Sequence, residues 1–141
     1  MPNMSAEELV VISGSCEVRM EYDPHCLERI RRIVGDCLRG WGLEALVDDC
    51  AFVATELCSN VRHCTCSSFD FAVRRTGADG VRLEVTDTST ELPVVPTELP
   101  DLFQVSGRGL FLVAALSVDV GVEPTVGGKM VWAELKVPGF G

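Results

Sequence analysis

The sequence lacks the features that are typical of a membrane protein or a secreted protein. No apolar run approaches the roughly 18 residues that span a membrane, since the longest apolar-rich stretch, 110–122, is interrupted by Ser117 and Asp119. The first ten residues carry Glu7 and Glu8 and no basic segment, so they lack the pattern of a secretory signal. We therefore expect a cytoplasmic protein that makes no membrane contact.

Positive charge is also scarce. The chain has 12 Lys and Arg residues against 21 Asp and Glu residues, which gives a formal net charge of −9. A surface this acidic is repelled by phosphate backbones, so direct nucleic-acid binding is a poor expectation. A bound nucleotide would need a local pocket rich in cations or N–H groups.

The seven cysteines do not form a pattern that is typical of a disulfide framework or a structural zinc site. Their number is odd, and the sequence contains no CxxC pair. Free thiols in a reducing compartment are the simpler interpretation. A metal-binding or redox protein remains an alternative, because His63, Cys64 and Cys66 lie close together in the sequence.

Hydrophobic periodicity predicts a single domain over residues 1–141, with a core from about 16 to 137. Asp23 and Pro24 are typical of an N-cap and a first helical position. Prolines at 93, 96 and 100 predict a long loop after Asp87. The predicted order is a strand over 16–22, helices over about 24–39 and 44–64, a hairpin of strands over 68–75 and 81–86, a helix over about 108–116, and strands over about 117–122 and 129–137. This order predicts an α/β (α+β) two-layer sandwich, with helices on one face of a mixed, mostly antiparallel sheet.

Glu56 and Asn60 are the first polar residues with a suggestive spacing. They lie four residues apart on a predicted helix, so both project from one face beside its apolar stripe. An amide oxygen suits Mg²⁺, and a carboxylate is able to act as a general base. By itself this pair is more typical of a solvated helix face.

Two further features lie at the boundaries of predicted elements. Asp87 closes a strand where the proline-rich loop begins, and its carboxylate can accept a hydrogen bond from an exocyclic amine. Gly107, Arg108 and Gly109 open a helix, where backbone N–H groups favour anions and an arginine can grip a phosphate. The sequence has no GxxxxGK[ST] motif, so a nucleotide would not be held by a P-loop.

In combination, these features resemble the N-box, G1-box and G2-box of the GHKL ATPases, the superfamily of gyrase, heat-shock chaperone, histidine kinase and MutL. The stretches VATELCSNVRH (53–63), LEVTDTS (83–89), SGRGL (106–110) and GGKMVWAEL (127–135) are most similar to the bacterial anti-sigma-factor serine/threonine kinases. The similarity extends over about residues 16–137. It implies a Bergerat ATP-binding fold of the HATPase_c type.

The resemblance implies a role for each matching residue. Glu56 would be the catalytic general base, Asn60 would ligate Mg²⁺, and residues 89–106 would form a lid over ATP. Asp87 would bind the adenine amine. The residues that would contact the nucleotide are Asn60, His63, Asp87, Gly107, Arg108, Gly109 and Leu110.

The resemblance also implies partners. Such proteins bind a sigma factor and phosphorylate an anti-anti-sigma protein of the STAS type on serine or threonine, and a homodimer is expected on the same ground. Two residues depart from the pattern: Ser89 replaces the glycine of the usual Asp-x-Gly, and Met130 stands where a threonine commonly helps to hold adenine. They motivate a second hypothesis, a kinase-inactive module that binds a partner on a degenerate ATPase fold.

Overall fold

The computed structural model describes residues 9–59, 68–87 and 107–139. Three α-helices and six strands occur in these ranges, together with a short 3-10 helix at Glu44–Leu46. The helices are α1 (Cys26–Gly40), α2 (Val47–Ser59) and α3 (Gly107–Leu116). The strands are β1 (Leu9–Ile12), β2 (Ser15–Glu21), β3 (Ser68–Thr76), β4 (Gly80–Asp87), β5 (Asp119–Thr125) and β6 (Gly128–Lys136).

The six strands form one sheet in the order β1-β2-β3-β4-β6-β5. Every described pair of neighbouring strands is antiparallel. The predicted α+β sandwich with a mostly antiparallel sheet is therefore confirmed. Strand β1 was not predicted from the sequence, and it extends the sheet beyond β2.

All three helices pack on one face of the sheet. Alternate residues of the strands point to that face, as the period of two requires, and they are buried against apolar residues of α1 and α2. The helix α2 contacts both α1 and α3 as well as β4 and β6, so it lies at the centre of the helical layer. The largest fully buried side chains are Phe69, Phe71, Met20, Ile30, Leu38, Leu57, Leu83 and Leu135.

The opposite face of the sheet carries a polar network, and none of the described helices packs on it. Arg74 and Arg82 both donate to Glu84, at 3.0 and 2.7 Å, and Arg82 also reaches Glu134 at 3.1 Å. The Arg82 guanidinium lies 4.2 Å from the centroid of the Trp132 ring, a cation–π distance. These partly exposed charges leave this face hydrated, which explains why apolar helices pack on the other side only.

The first helix begins later than the sequence predicts. Residues 24 and 25 form a turn and α1 starts at Cys26, so the expected N-cap at Asp23 is wrong. Instead, the His25 backbone N–H donates to Asp23 Oδ1 at 2.7 Å. This hydrogen bond is the main cause that lowers the pKa of the Asp23 carboxyl, with a smaller contribution from Arg29. The aspartate side chain thus organises the turn before the helix.

The second predicted helix has two parts. Glu44–Leu46 form one 3-10 turn, and the α-helix proper extends over Val47–Ser59. The predicted continuation to residue 64 lies outside the described residues. None of the helices in the described ranges has both the length and the hydropathy that crossing a membrane requires.

Five cysteines fall in the described ranges, and all five are free thiols: Cys16, Cys26, Cys37, Cys50 and Cys58. Burial raises the pKa of Cys50 to about 12 and is the main cause that raises the pKa of Cys37 to about 12. Burial likewise raises the pKa of Cys26, and it raises that of Cys58 well above its usual range. No cluster of potential metal-ligating side chains occurs in the described ranges, whereas His63, Cys64 and Cys66 lie outside them.

These burials predict slow thiol chemistry in the native protein. At pH 8 a thiol with a pKa of about 12 is a thiolate in only about one molecule in 10⁴, and the thiolate is the reactive form. In a Cys64→Ser/Cys66→Ser variant, we expect Ellman's reagent to label the four buried thiols, those of Cys16, Cys26, Cys50 and Cys58, slowly at pH 8, and all five remaining thiols rapidly in denaturant. Rapid stoichiometric labelling of any of the four in the native state would contradict their burial.

Candidate functional site

The helix α2 carries Glu56 and touches both elements that carry other predicted site residues. It packs against β4, which ends at Asp87, and against α3, which begins at Gly107. The three sequence features are therefore brought to neighbouring elements on the helical side of the sheet. Their separation in the sequence does not show this proximity, which arises because α2 lies between α1 and α3 in the helical layer and also contacts β4.

Glu56 lies at the edge of the packed face of α2. Its neighbours Thr55 and Leu57 are buried, whereas Glu56 itself is half-buried. The hydroxyls of Thr55 and Ser59 donate to helix carbonyls, those of Phe52 and Thr55, at 2.9 and 2.8 Å. The carboxylate of Glu56 is accordingly the acid–base group that this part of α2 presents.

The remaining predicted contacts are described only in part. Asn60, His63 and the predicted lid over 89–106 lie outside the described residues, as does Ser89. Gly107, Arg108, Gly109 and Leu110 form the first turn of α3, and their side chains also lie outside the description. The roles that the resemblance implies for all of these residues remain predictions.

The backbone of α3 supplies a feature that suits an anion. The helix has ten residues and starts at Gly107, as the sequence predicts to within one residue. The first four N–H groups of an α-helix have no carbonyl partner within the helix, and the helix dipole adds partial positive charge at this end. A phosphate group would find N–H donors there without needing a P-loop.

Asp87 is buried and paired with a lysine. The strands β4 and β6 place Asp87 directly opposite Lys129. The ammonium of Lys129 donates to both carboxylate oxygens of Asp87, each at 3.0 Å. The two side chains are only 3% and 4% exposed. The carboxylate that the sequence analysis assigned to an adenine amine therefore already accepts hydrogen bonds from within the protein.

The pairing of β4 with β6 also corrects the expectation that Met130 stands where a threonine commonly helps to hold adenine. Met130 lies opposite Thr86, and successive residues of a strand point to opposite faces of the sheet. Lys129 therefore shares the helical side of the sheet with Asp87, and Met130 points to the other side. The residue that borders Asp87 in place of an expected threonine is Lys129.

Sequence reasoning missed Lys129, because the local sequence does not show that this side chain is buried. Lysine is almost never fully buried unless it is paired, and Lys129 follows two glycines at the start of an alternating strand. Its inward direction depends on register, since a slip of one residue would have turned Met130 inward instead.

The residues in place fit a magnesium nucleotide on its phosphate side. A helix N-terminus offers N–H donors, Asn60 by sequence offers the hard amide oxygen that suits Mg²⁺, and Glu56 offers a proton acceptor. The base side fits less simply, because the Asp87 carboxylate is shared with Lys129.

Comparison with models of protein families gives a match over most of the chain. The model of a family described as the histidine kinase-like ATPase domain matches residues 20–135. The match spans most of the chain and includes the helices and five of the six strands, β2 only in part. A search among curated proteins found no match.

Proposed function

Because this chain belongs to the histidine kinase-like ATPase domain family, we propose that it binds Mg-ATP and acts as an anti-sigma regulatory protein. In this proposal the protein sequesters a sigma factor and phosphorylates an anti-anti-sigma protein of the STAS type on serine or threonine. Family membership by itself implies ATP binding, usually with Mg²⁺, in a regulatory domain. The observation that carries the proposal is a set of contacts made by α2, the helix that bears Glu56. It contacts β4, which ends at Asp87, and α3, which begins at the glycine turn.

The proposed chemistry assigns one proton transfer to this chain. Bound Mg-ATP supplies the phosphoryl group. Glu56 accepts the proton of the serine or threonine hydroxyl on the partner, whose oxygen forms the new bond to phosphorus while the bridging oxygen leaves with its electron pair. The half-buried position of Glu56 suits a general base, because a group at the edge of the core can be shielded from water and still reach a substrate.

A second candidate function is a partner-binding module without kinase activity. It is favoured by the engagement of Asp87 by Lys129 and by the serine at position 89. The two functions separate in one measurement. A kinase-type switch changes its affinity for its partner when Mg-ATP replaces Mg-ADP, whereas the module binds its partner equally well with either nucleotide or with none.

Calorimetric titration with Mg-ATP and Mg-ADP tests the proposed site. We expect saturable binding of one nucleotide per chain with a dissociation constant below about 1 mM. Replacing Arg108 with alanine should weaken binding by roughly tenfold, or about 1.4 kcal/mol, because a charge-assisted contact to phosphate is lost. The matched control is Arg32→Ala, which removes an exposed arginine from α1. Absence of binding at millimolar Mg-ATP would refute the nucleotide site.

A further inference from the structure

The pair formed by Asp87 and Lys129 is the feature that the proposed function does not explain. Both side chains are almost fully buried. Asp87 is the last residue of β4, just before the predicted lid, and Lys129 lies opposite it on β6. The ammonium lies 3.0 Å from each carboxylate oxygen, so it bridges the two acceptors instead of contacting one. A symmetric contact of this kind uses one acceptor position on each carboxylate oxygen, so any further donor has to share the carboxylate with the ammonium.

Neither member of the pair leaves its place without a cost. A buried ammonium requires a negative or hydrogen-bonding partner, because burial of an uncompensated charge is strongly unfavourable. The exocyclic amine of adenine is also a donor, with partly positive hydrogens. It would have to share Asp87 with a full positive charge at hydrogen-bond distance, or displace that charge from its partner.

We propose that Lys129 is a specificity residue of the nucleotide site: its ammonium occupies the Asp87 carboxylate and removes the preference for a base that carries an exocyclic amine. This inference rests on the proposed function, since it assumes that a nucleotide binds beside Asp87. A purine with a carbonyl oxygen in place of that amine offers an acceptor, which suits an ammonium donor. ATP and inosine triphosphate, which differ at this position, therefore bind the natural chain with similar affinity.

The first measurement compares Mg-ATP and Mg-ITP on the unmodified chain by calorimetry. The expected ratio of the two dissociation constants lies within about threefold of one. A site built to accept a hydrogen bond from an amine discriminates much more strongly against an analogue that lacks it. A preference for ATP of about tenfold or more would overturn the inference and leave the proposed function intact.

The second measurement removes the ammonium. Lys129→Met keeps an unbranched side chain of similar length and removes the positive charge that competes for the carboxylate, so ATP should bind about tenfold more tightly while ITP changes less than about threefold. Lys136→Met is the matched control, because Lys136 lies on the same strand and is exposed, and it should change neither affinity. Thermal unfolding followed by circular dichroism shows whether each variant is folded.

Each outcome distinguishes the inference from the proposed function. Tighter and selective ATP binding by Lys129→Met, with comparable ATP and ITP binding by the natural chain, supports the inference. If the variant binds ATP and the natural chain binds neither triphosphate, the proposed function and the similar affinities inferred here are both refuted. Unchanged selectivity in a folded Lys129→Met overturns the inference alone. Absence of triphosphate binding by both proteins overturns both. If Lys129→Met does not fold, the ATP-to-ITP ratio of the natural chain decides.

Discussion

Replacing Asp87 with alanine lowers the free energy of unfolding by about 3–5 kcal/mol, because the buried ammonium of Lys129 loses a carboxylate to which it donates two hydrogen bonds. The side chains of the pair are 3% and 4% exposed, so water does not screen the loss as it would at the surface. A loss of this size is expected when one partner of a buried ion pair is removed and the other partner remains. It is a large fraction of the 5–15 kcal/mol that stabilises a typical domain.

A double-mutant cycle isolates this effect. Asp87→Leu/Lys129→Met removes both charges and fills the space with apolar groups, a change that is often neutral or stabilising for a buried ion pair. We expect urea unfolding at pH 7 to show that the double variant is more stable than either single variant. Asp79→Ala, in the exposed turn between β3 and β4, is the control and should change stability by less than about 0.5 kcal/mol. Additive losses in the cycle would contradict the pairing.

This stability loss affects how the nucleotide site can be studied. Asp87 looks like the natural residue to mutate when base recognition is tested. In this chain the substitution also removes the partner of a buried charge, so weaker nucleotide binding would not by itself show that Asp87 touches the base. Arg108→Ala and its matched control Arg32→Ala leave both members of the buried pair in place, so they separate recognition from folding more cleanly.

Periodicity predicted most of the fold. The alternation of Phe69, Phe71 and Val73 with polar residues placed β3 correctly, and the same pattern placed β4 to within one residue at each end. These predictions succeed because one face of each strand is buried against α1 and α2, so the amino-acid pattern and the packing carry the same information. The turn predicted at 77–80 from its glycines is also present between β3 and β4. Gly77 has a φ of +75°, which glycine adopts readily.

The rest depended on information that local sequence does not carry. The start of α1 was misplaced because Asp23 can cap a helix or organise a turn with the same carboxylate, and only the path of the chain selects the turn. The partner of Asp87 lies 42 residues away in the sequence, beyond the predicted loop and α3. The pairing register of β4 and β6 decides it, and with it the choice between Lys129 and Met130.

Replacing Glu56 with glutamine should lower phosphate transfer to the partner protein by about 10²–10⁴-fold, the contribution that is typical of a positioned general base. Glutamine has nearly the same shape, so the buried neighbours Thr55 and Leu57 keep their packing. An amide cannot take up the hydroxyl proton at neutral pH. Binding of Mg-ATP should therefore change less than about threefold, because the substitution removes a proton acceptor and leaves the helix in place.

The measurement is transfer of labelled phosphate from Mg-ATP to a STAS-type protein, with calorimetric binding measured on the same preparations. Glu28→Gln, on the exposed face of α1, is the matched control and should transfer phosphate at the unmodified rate. Full activity in Glu56→Gln would remove its assignment as the base. Loss of transfer together with loss of Mg-ATP binding would mean that this carboxylate holds the metal nucleotide, and the proton would then need another acceptor. Loss of transfer with binding retained is the result that separates a kinase from a partner-binding module on the same fold.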